Sequence, residues 1–221
     1  MIPAGFTKKK QGAPPTVILM ARAPIPGHCN TRLAPRLGER GAARIQSILI
    51  ADRARAVRAA KLPLVVEATP DIRHPCFLRL RHQVRSLRRQ FRGSLGLRMW
   101  RAVRRQPGPV LVIGTDCPAL TSARLVAAAR ALEEHPAIMI PADDGGYVLI
   151  GLRQACPRLF SMIPWGGNRV AQRSARQARR AGLDLRMLPA LPDLDRPRDY
   201  HQHRRQAQLP AFGYRPAEST T

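Results

Sequence analysis

The stretch Val110–Thr121, VLVIGTDCPALT, is the clearest indication of the fold in this sequence. Its apolar start, Val110–Gly114, has the length and the branched side chains of a buried strand. Asp116 follows at the tip of that strand, and Thr121 or Ser122 can cap a helix over about residues 123–134. The segment therefore predicts a buried strand, a loop that carries a carboxylate, and a helix.

Other apolar runs alternate with segments of helical periodicity on both sides of this unit. We expect further strands over Thr16–Ala21, Leu62–Ala68, Ala137–Pro141, Tyr147–Leu152 and Leu183–Leu188. Helices are expected over Glu39–Ala60, Leu95–Arg104, Ala123–Glu134, Asn168–Ala181 and Arg196–Gln206. Such alternation is typical of an α/β layer fold with a mainly parallel sheet.

Length and composition predict one globular domain. The 221 residues fit one domain of ordinary size, and a hydrophobic fraction of 44% excludes wholesale disorder. We place this domain over residues 16–206, between a flexible basic N-terminal segment, 1–15, and a loose C-terminal tail, 207–221. Because no apolar run approaches a membrane span, no secretory signal is evident and the four cysteines form no CxxC pair, we expect a cytoplasmic protein.

The charge balance is strongly basic. Lys and Arg number 38 against 14 Asp and Glu, which gives a formal net charge of +24 at pH 7. Such a surplus favours a polyanionic partner, namely nucleic acid, an anionic membrane or phosphorylated small molecules. A coding bias toward arginine would produce the same count without any function. The arginines are concentrated in Arg73–Arg105, and no acid occurs in Ile72–Thr115.

Three loops at predicted strand ends carry candidate chemistry, because ligands bind beyond the carboxyl ends of strands in doubly wound sheets. Pro24–Arg32, PIPGHCNTR, could present backbone N–H groups and Arg32 to phosphates, or be an ordinary surface loop. Asp116 suits a divalent cation that bridges two phosphates, and a turn aspartate is the alternative. In Asp143–Gly146, two glycines would let a ligand approach, although Asp-Gly is also a hairpin signal.

Six segments of the chain form a recognisable set: PIPGHCNTRLAPRLG (24–38), GSLGLRM (93–99), VLVIGTDCPALT (110–121), PADDGGYVLIGL (141–152), IPWGGNRV (163–170) and LPDLDRPRDY (191–200). Together they resemble one bacterial family of GT-A-type transferases, the selenodomain-associated or arsenosugar-biosynthesis glycosyltransferases. The resemblance runs in order from about Val17 to Tyr200. It implies a nucleotide-diphospho-sugar transferase fold, a three-layer α/β/α sandwich with a mainly parallel mixed sheet, which binds the nucleotide over its first strands.

The resemblance also implies roles for individual residues. Asp116 matches a metal-binding aspartate, and Asp193 and Asp195 resemble a late acidic motif that closes on the metal, Mg²⁺ or Mn²⁺. Asp143 and Asp144 are the candidate catalytic bases, placed with Tyr147 toward the acceptor or the sugar. The expected donor-binding residues are Pro26, Gly27, Asn30, Thr31, Arg32, Arg92, Gly93, Arg98, Gly145, Gly146, Tyr147 and Trp165.

Three positions differ from the family pattern. Asn30 stands where relatives carry a lysine, Arg92 where they carry a glycine, and Leu97 where an acid is common. A lost lysine–phosphate contact predicts weaker donor binding, unless a neighbouring cation such as Arg92 replaces it.

The sequence as a whole predicts a metal-dependent transferase that uses a nucleotide-activated donor, in the first place a glycosyltransferase acting on a small-molecule acceptor. The alternative is a nucleotidyltransferase on the same fold, which attacks a nucleoside triphosphate and releases pyrophosphate. A further alternative is a non-catalytic binder of nucleic acid or another polyanion that uses Arg73–Arg105. That region contains no known nucleic-acid motif and few aromatic residues.

Overall fold

The computed structural model describes residues 13–205. Within them, the strands are β1 (Thr16–Arg22), β2 (Leu64–Thr69), β3 (Ser86–Arg89), β4 (Val110–Ile113), β5 (Ala137–Pro141), β6 (Tyr147–Leu152) and β7 (Leu185–Met187). The helices are α1 (Ala34–Ala59), α2 (Pro75–Leu78), α3 (Leu95–Arg104), α4 (Ser122–Glu134), α5 (Val170–Arg180), α6 (Pro197–Arg205) and a 3-10 helix, Pro157–Phe160. Most of the predicted N-terminal segment and all of the predicted C-terminal tail lie outside the described residues.

The strands form one mixed sheet in the order β3-β2-β1-β4-β6-β5-β7. Strand β6 runs antiparallel to β4 and β5, and the other neighbouring pairs are parallel. The predicted α/β class with a mainly parallel mixed sheet is therefore confirmed.

Helices cover both faces of the sheet. Because side chains alternate along a strand, Val17 and Leu19 of β1 face the core beneath α1 and α4, while Ile18 faces the opposite core. That second core includes Met99 of α3 and Ala178 of α5, together with residues of the 3-10 helix. The three-layer α/β/α arrangement follows from these two cores. No helix in residues 13–205 is long and apolar enough to cross a membrane.

The structure differs from the predicted elements in a few places. Strand β3, the short helix α2 and the 3-10 helix were not predicted, because none of them contains a long periodic or apolar run. Strand β3 lies at an edge of the sheet and its residues are at most partly buried. Helix α1 begins five residues before the predicted Glu39, with one turn that a left-handed Gly38, at φ 69°, separates from the rest.

Candidate functional site

A cleft of about 600 Å³ lies at the carboxyl ends of β1, β2 and β4. One wall is polar and comes from the loop between β1 and α1, with His28, Asn30, Thr31 and Arg32. The other wall is largely apolar and comes from α3, β6 and the segment before α5, with Leu95, Met99, Tyr147, Trp165 and Val170 among its residues. The position beyond the strand ends is the one that the sequence predicts.

Asp116 lies on the floor of this cleft, directly after β4. The Thr115 hydroxyl donates a hydrogen bond to its carboxylate at 2.6 Å, and the Leu194 N–H donates to its carbonyl oxygen at 2.6 Å. The second bond brings Asp195 into the neighbourhood of Asp116. Although the residue is open to the cleft, desolvation by the surrounding atoms raises the pKa of Asp116, and the Asp195 carboxylate raises it further.

Two polar side chains of α1 fix the loop that carries Asp116. The buried Arg53 guanidinium donates to the carbonyl oxygens of Leu120 and Pro118, the latter at 3.1 Å. The Gln46 amide donates to the carbonyl of Arg22 at 3.0 Å and to the Thr115 hydroxyl at 3.3 Å. Sequence reasoning missed both residues. Their signal is a polar pair seven positions apart on the apolar face of a helix.

The loop after β1 contributes only its second half to the cleft. Arg22 donates to the His28 carbonyl at 3.3 Å, which ties the loop to the end of β1. Asn30, Thr31 and Arg32 line the cleft, whereas Pro26 and Gly27 do not. Asn30 has a left-handed backbone with φ 45°, and its buried amide nitrogen has no hydrogen-bond partner among the described residues.

Backbone conformation and close packing explain why positions 27 and 145 are glycine. Gly27 has φ +74°, and a Cβ there would meet the carboxylate of Glu39 at 3.2 Å. At Gly145, φ is +87° and a Cβ would lie 2.0 Å from the carbonyl oxygen of Asn168. The Gly145 carbonyl also accepts from Ala171 N–H at 3.0 Å, so this glycine packs the turn against the start of α5.

Asp143 and Asp144 share one turn, but only one of them lines the cleft. Asp144 lines the cleft and accepts a hydrogen bond from Gly146 N–H at 2.7 Å, whereas the exposed Asp143 does not line it. Gly146 and Tyr147 also line the cleft. The Tyr147 ring packs edge-on against Trp165, with 6.2 Å between centroids, and burial raises the pKa of Tyr147.

Further carboxylates lie near Asp144. Asp193 does not line the cleft, but desolvation and the Asp144 carboxylate raise its pKa to about 6. Asp195 does line the cleft and forms an ion pair with Arg32. This partner raises the pKa of Arg32, so the guanidinium remains charged.

The donor set fits a cation that is shared with a substrate. Among residues 13–205, no three His, Cys, Asp or Glu side chains form a group that could hold a metal ion by themselves. Mg²⁺ is often bound by only one or two carboxylates, with substrate phosphates and water as the other ligands. Asp116 and Asp195 could supply that smaller set, because both residues line the cleft.

Arg98, rather than Arg92, brings positive charge to the α3 side of the cleft. Arg92 and Gly93 are exposed and do not line the cleft, whereas Arg98 does. Its guanidinium donates to the Gly93 carbonyl at 2.8 Å and to the Gln90 side chain at 3.5 Å. Arg92, which we expected beside the nucleotide, lies in the exposed turn before α3 and outside the lining of the cleft.

Gln90 is a further cleft residue that the sequence did not indicate. Its amide donates to the carbonyls of Glu67 at 2.8 Å and Ala21 at 3.3 Å, and so joins β2 and β1 to Arg98. Gln90 directly follows β3, which the sequence did not predict, so no motif or periodic run indicated this residue. The cleft also contains Gly166 and Gly167, from the recognised segment around Trp165.

The sheet order and the cleft define the fold of nucleotide-diphospho-sugar transferases. A protein of Desulfovibrio desulfuricans G20 that is provisionally named a nucleotide-diphospho-sugar transferase has a similar structure, with a TM-score of 0.75, 27% identity and 82% of each chain covered. A nucleotidyl transferase from Methanothermobacter thermautotroptrophicus matches with a TM-score of 0.59 and 17% identity, over 88% of this chain and 98% of that one. Rv0371c from Mycobacterium tuberculosis H37Rv, in complex with manganese, matches with a TM-score of 0.52 and 13% identity, over 87% and 98%.

The sequence itself identifies the family. Residues 51–167 match the model of DUF2064, which is described as an uncharacterized protein conserved in bacteria. The chain belongs to this family. A comparison with curated proteins found no match. These findings support the transferase fold, and the narrower resemblance to the selenodomain-associated or arsenosugar group stays a prediction.

Proposed function

We propose that this protein is a metal-dependent transferase with a nucleotide-activated donor, in particular a glycosyltransferase of the selenodomain-associated or arsenosugar-biosynthesis group. The observation that supports this most is the juxtaposition of Asp116, Asp195 and Arg32 in one cleft of about 600 Å³. That volume lies within the range of small-molecule sites. The name of the similar Desulfovibrio desulfuricans protein agrees with such a donor.

The polar wall of the cleft would hold the diphosphate. Asp116 and Asp195 would bind Mg²⁺ or Mn²⁺ together with phosphate oxygens, and the bound cation would neutralise charge on the leaving nucleoside diphosphate. Arg22, Arg32 and Arg98 line the same cleft and add positive charge. Because Arg32 already pairs with Asp195, an arriving phosphate oxygen can replace that carboxylate on the guanidinium and leave Asp195 available.

The acceptor would bind beside Asp144. Its carboxylate lines the cleft next to Tyr147 and Trp165, where it can take the proton of an acceptor hydroxyl in an inverting reaction. Asp143 is the weaker candidate, since it lies outside the lining. Asp193 can assist only indirectly, through its charge near Asp144. We also retain as proposals the single domain over residues 16–206 and the cytoplasmic location.

A binding and product assay tests this function. The protein is incubated with nucleoside di- and triphosphates and nucleotide sugars, with and without Mn²⁺, and its melting temperature is measured. We expect stabilisation by a nucleotide sugar that depends on Mn²⁺, and release of nucleoside diphosphate when an acceptor is present. Release of pyrophosphate from a triphosphate would instead indicate nucleotidyl transfer. Absence of stabilisation by every nucleotide would contradict both activities.

A further inference from the structure

The layer of helices formed by α3, the 3-10 helix and α5 contains no acidic residue. These elements lie in two stretches that lack Asp and Glu altogether, Ile72–Thr115 and Gly145–Leu183, the first of which also supplies α2 of the opposite layer. We call the outer surface of this layer the basic face. Its exposed arginines are Arg104, Arg158, Arg169, Arg173, Arg176, Arg179 and Arg180.

The two long helices of the opposite layer, α1 and α4, have arginines too, but theirs are mixed with acids. Helix α1 contains Glu39 and Asp52, and α4 ends with Glu133 and Glu134. An arginine-rich composition alone would give both layers the same character. The helices of the two layers therefore differ in where the acids stand, and not only in the number of arginines.

Helix α5 presents the densest part of the basic face. Arg169, Arg173, Arg176 and Arg180 are spaced by four, three and four positions and so follow one side of the helix. They border a shallow cavity of about 310 Å³. Among the described residues, no carboxylate forms a salt bridge with these four arginines.

Exposed apolar side chains accompany these charges. Met162, beside the α5 arginines, is 88% exposed and has a left-handed backbone with φ 56°, which is unusual for a bulky residue. At the other end of the layer, Phe91 is 40% and Leu97 is 37% exposed. Strained backbone that holds an apolar side chain in water suggests that the side chain has a partner.

We propose that the basic face docks onto the surface of an anionic lipid bilayer. Arginines on a surface attract anionic head groups, and adjacent apolar side chains enter the boundary between head groups and acyl chains. The N-terminal ends of α3 and α5 also line the cleft, through Leu95, Arg98 and Val170. Docking would therefore bring the apolar wall of the cleft beside the bilayer.

Single-stranded nucleic acid fits the same face less well. Binding of single strands relies on bases that stack on aromatic rings. The Phe91 ring is already covered on one face by the Arg101 guanidinium, 4.7 Å from its centroid. Met162 and Leu97 are not aromatic and cannot stack on bases, but their apolar side chains can enter a lipid interface.

Vesicle sedimentation of the full chain tests the proposal. We expect binding to phosphatidylcholine vesicles that contain about one third phosphatidylglycerol, no binding to phosphatidylcholine alone, and weakening by salt. The double variant Arg173→Gln/Arg176→Gln should bind anionic vesicles roughly 20- to 30-fold more weakly, since each basic residue near the bilayer contributes about 1 kcal/mol. The matched control is Arg124→Gln/Arg130→Gln, two exposed arginines of α4 in the opposite layer. It should change binding by less than about twofold.

A single apolar variant separates lipid from other polyanions. Met162→Gln keeps every charge and should weaken vesicle binding several-fold, while binding to a random nucleic-acid duplex stays unchanged. Equal losses in the two double variants would overturn the proposal, because total charge would then be responsible. Unchanged vesicle binding of Met162→Gln, or equal binding of the wild type to neutral and anionic vesicles, would overturn it too. None of these measurements depends on the proposed transferase activity.

Discussion

Asp116 is held by its neighbour Thr115 and by two residues that are distant in the sequence, Leu194 and Arg53. Its carboxylate accepts a hydrogen bond from Thr115, its carbonyl accepts from Leu194 N–H, and Arg53 anchors the loop that follows. Such a residue keeps its geometry when its charge is changed. It is therefore a suitable position at which to separate metal binding from folding.

Replacing Asp116 with asparagine should leave the fold intact and remove metal-dependent nucleotide binding, because an amide is a poorer ligand for a hard divalent cation. At a nucleotide concentration about 100 times Kd, the variant should lose roughly 2.7 kcal/mol of ligand-induced stability. Thermal unfolding with nucleotide and Mn²⁺ measures this loss. The exposed Asp184, replaced in the same way, is the control. Unchanged Mn²⁺-dependent stabilisation of the Asp116 variant would refute the assignment.

The two neighbouring aspartates should differ in their effect on turnover. Asp144→Asn should lower turnover by roughly 10²–10⁴ with little change in donor affinity, as expected for a general base. The amide oxygen can still accept the hydrogen bond from Gly146 N–H, so the turn should persist. Asp143→Asn is the matched control, since that side chain lies outside the cleft. Wild-type turnover in both variants would mean that the pair only forms a turn.

Donor affinity should depend on Arg98 and not on Arg92. Loss of a hydrogen bond to a charged group costs about 1.5–3 kcal/mol, so Arg98→Gln should weaken nucleotide binding roughly ten- to a hundredfold. Arg92→Gln should leave it unchanged, because Arg92 does not line the cleft. Isothermal titration of both variants decides between them. The reverse result would mean that the turn before α3 moves toward the ligand.

At the scale of single elements, the sequence predicted best where local signals are strong. The predicted bounds of α3 are those of the structure, and the Ser94 hydroxyl caps this helix by accepting from Leu97 N–H. Thr121 caps α4 in the same way. Strand β3 lacked such signals because an edge strand needs no apolar run.

Residues of the candidate site were predictable only where they belong to a recognised motif. Asp116, Asp195 and Arg32 belong to recognised segments, and the structure brings all three to one cleft. Gln46 and Gln90 were missed, since they act through backbone carbonyls that only the folded chain brings near. Arg92 lies outside the cleft lining for a related reason, because a position in a motif does not give the direction of an exposed turn.

The ion pair between Glu67 of β2 and Arg105 after α3 should make stability depend on pH. Glu67 is buried, its carboxylate lies 3.2 Å from Arg105, and desolvation raises the pKa of Glu67. Because the folded state then binds more protons than the unfolded state, this group lowers stability as pH rises through its folded pKa. Removing Arg105 should raise that pKa further and enlarge the effect.

Arg105→Ala should therefore destabilise the protein by about 1–3 kcal/mol at pH 8 and by less at pH 5. Urea unfolding at both values measures the difference. The Glu67→Gln variant has no carboxylate at this position to titrate. Adding Arg105→Ala to it should therefore change the stability by the same amount at both pH values. An equal loss at both pH values would show that Arg105 acts by packing alone.

At the scale of the whole molecule, the formal charge of +24 should oppose folding. Like charges are closer together in the compact state, and the acid-free basic face contains an uncompensated group of them. Raising the ionic strength from about 0.01 M to about 1 M shortens the Debye length from about 30 Å to about 3 Å. The melting temperature should therefore rise with NaCl.

The basic face should account for more of this salt effect than an equal charge elsewhere. Arg173→Gln/Arg176→Gln should melt higher than the wild type at low salt and gain less from NaCl, because it removes repulsion where no acid compensates it. Arg124→Gln/Arg130→Gln lies on α4, the helix that ends with Glu133 and Glu134, so its gain at low salt should be smaller. Differential scanning calorimetry across a NaCl series compares the three proteins. A melting temperature that falls with salt would mean that ion pairs such as Glu67–Arg105 outweigh the repulsion.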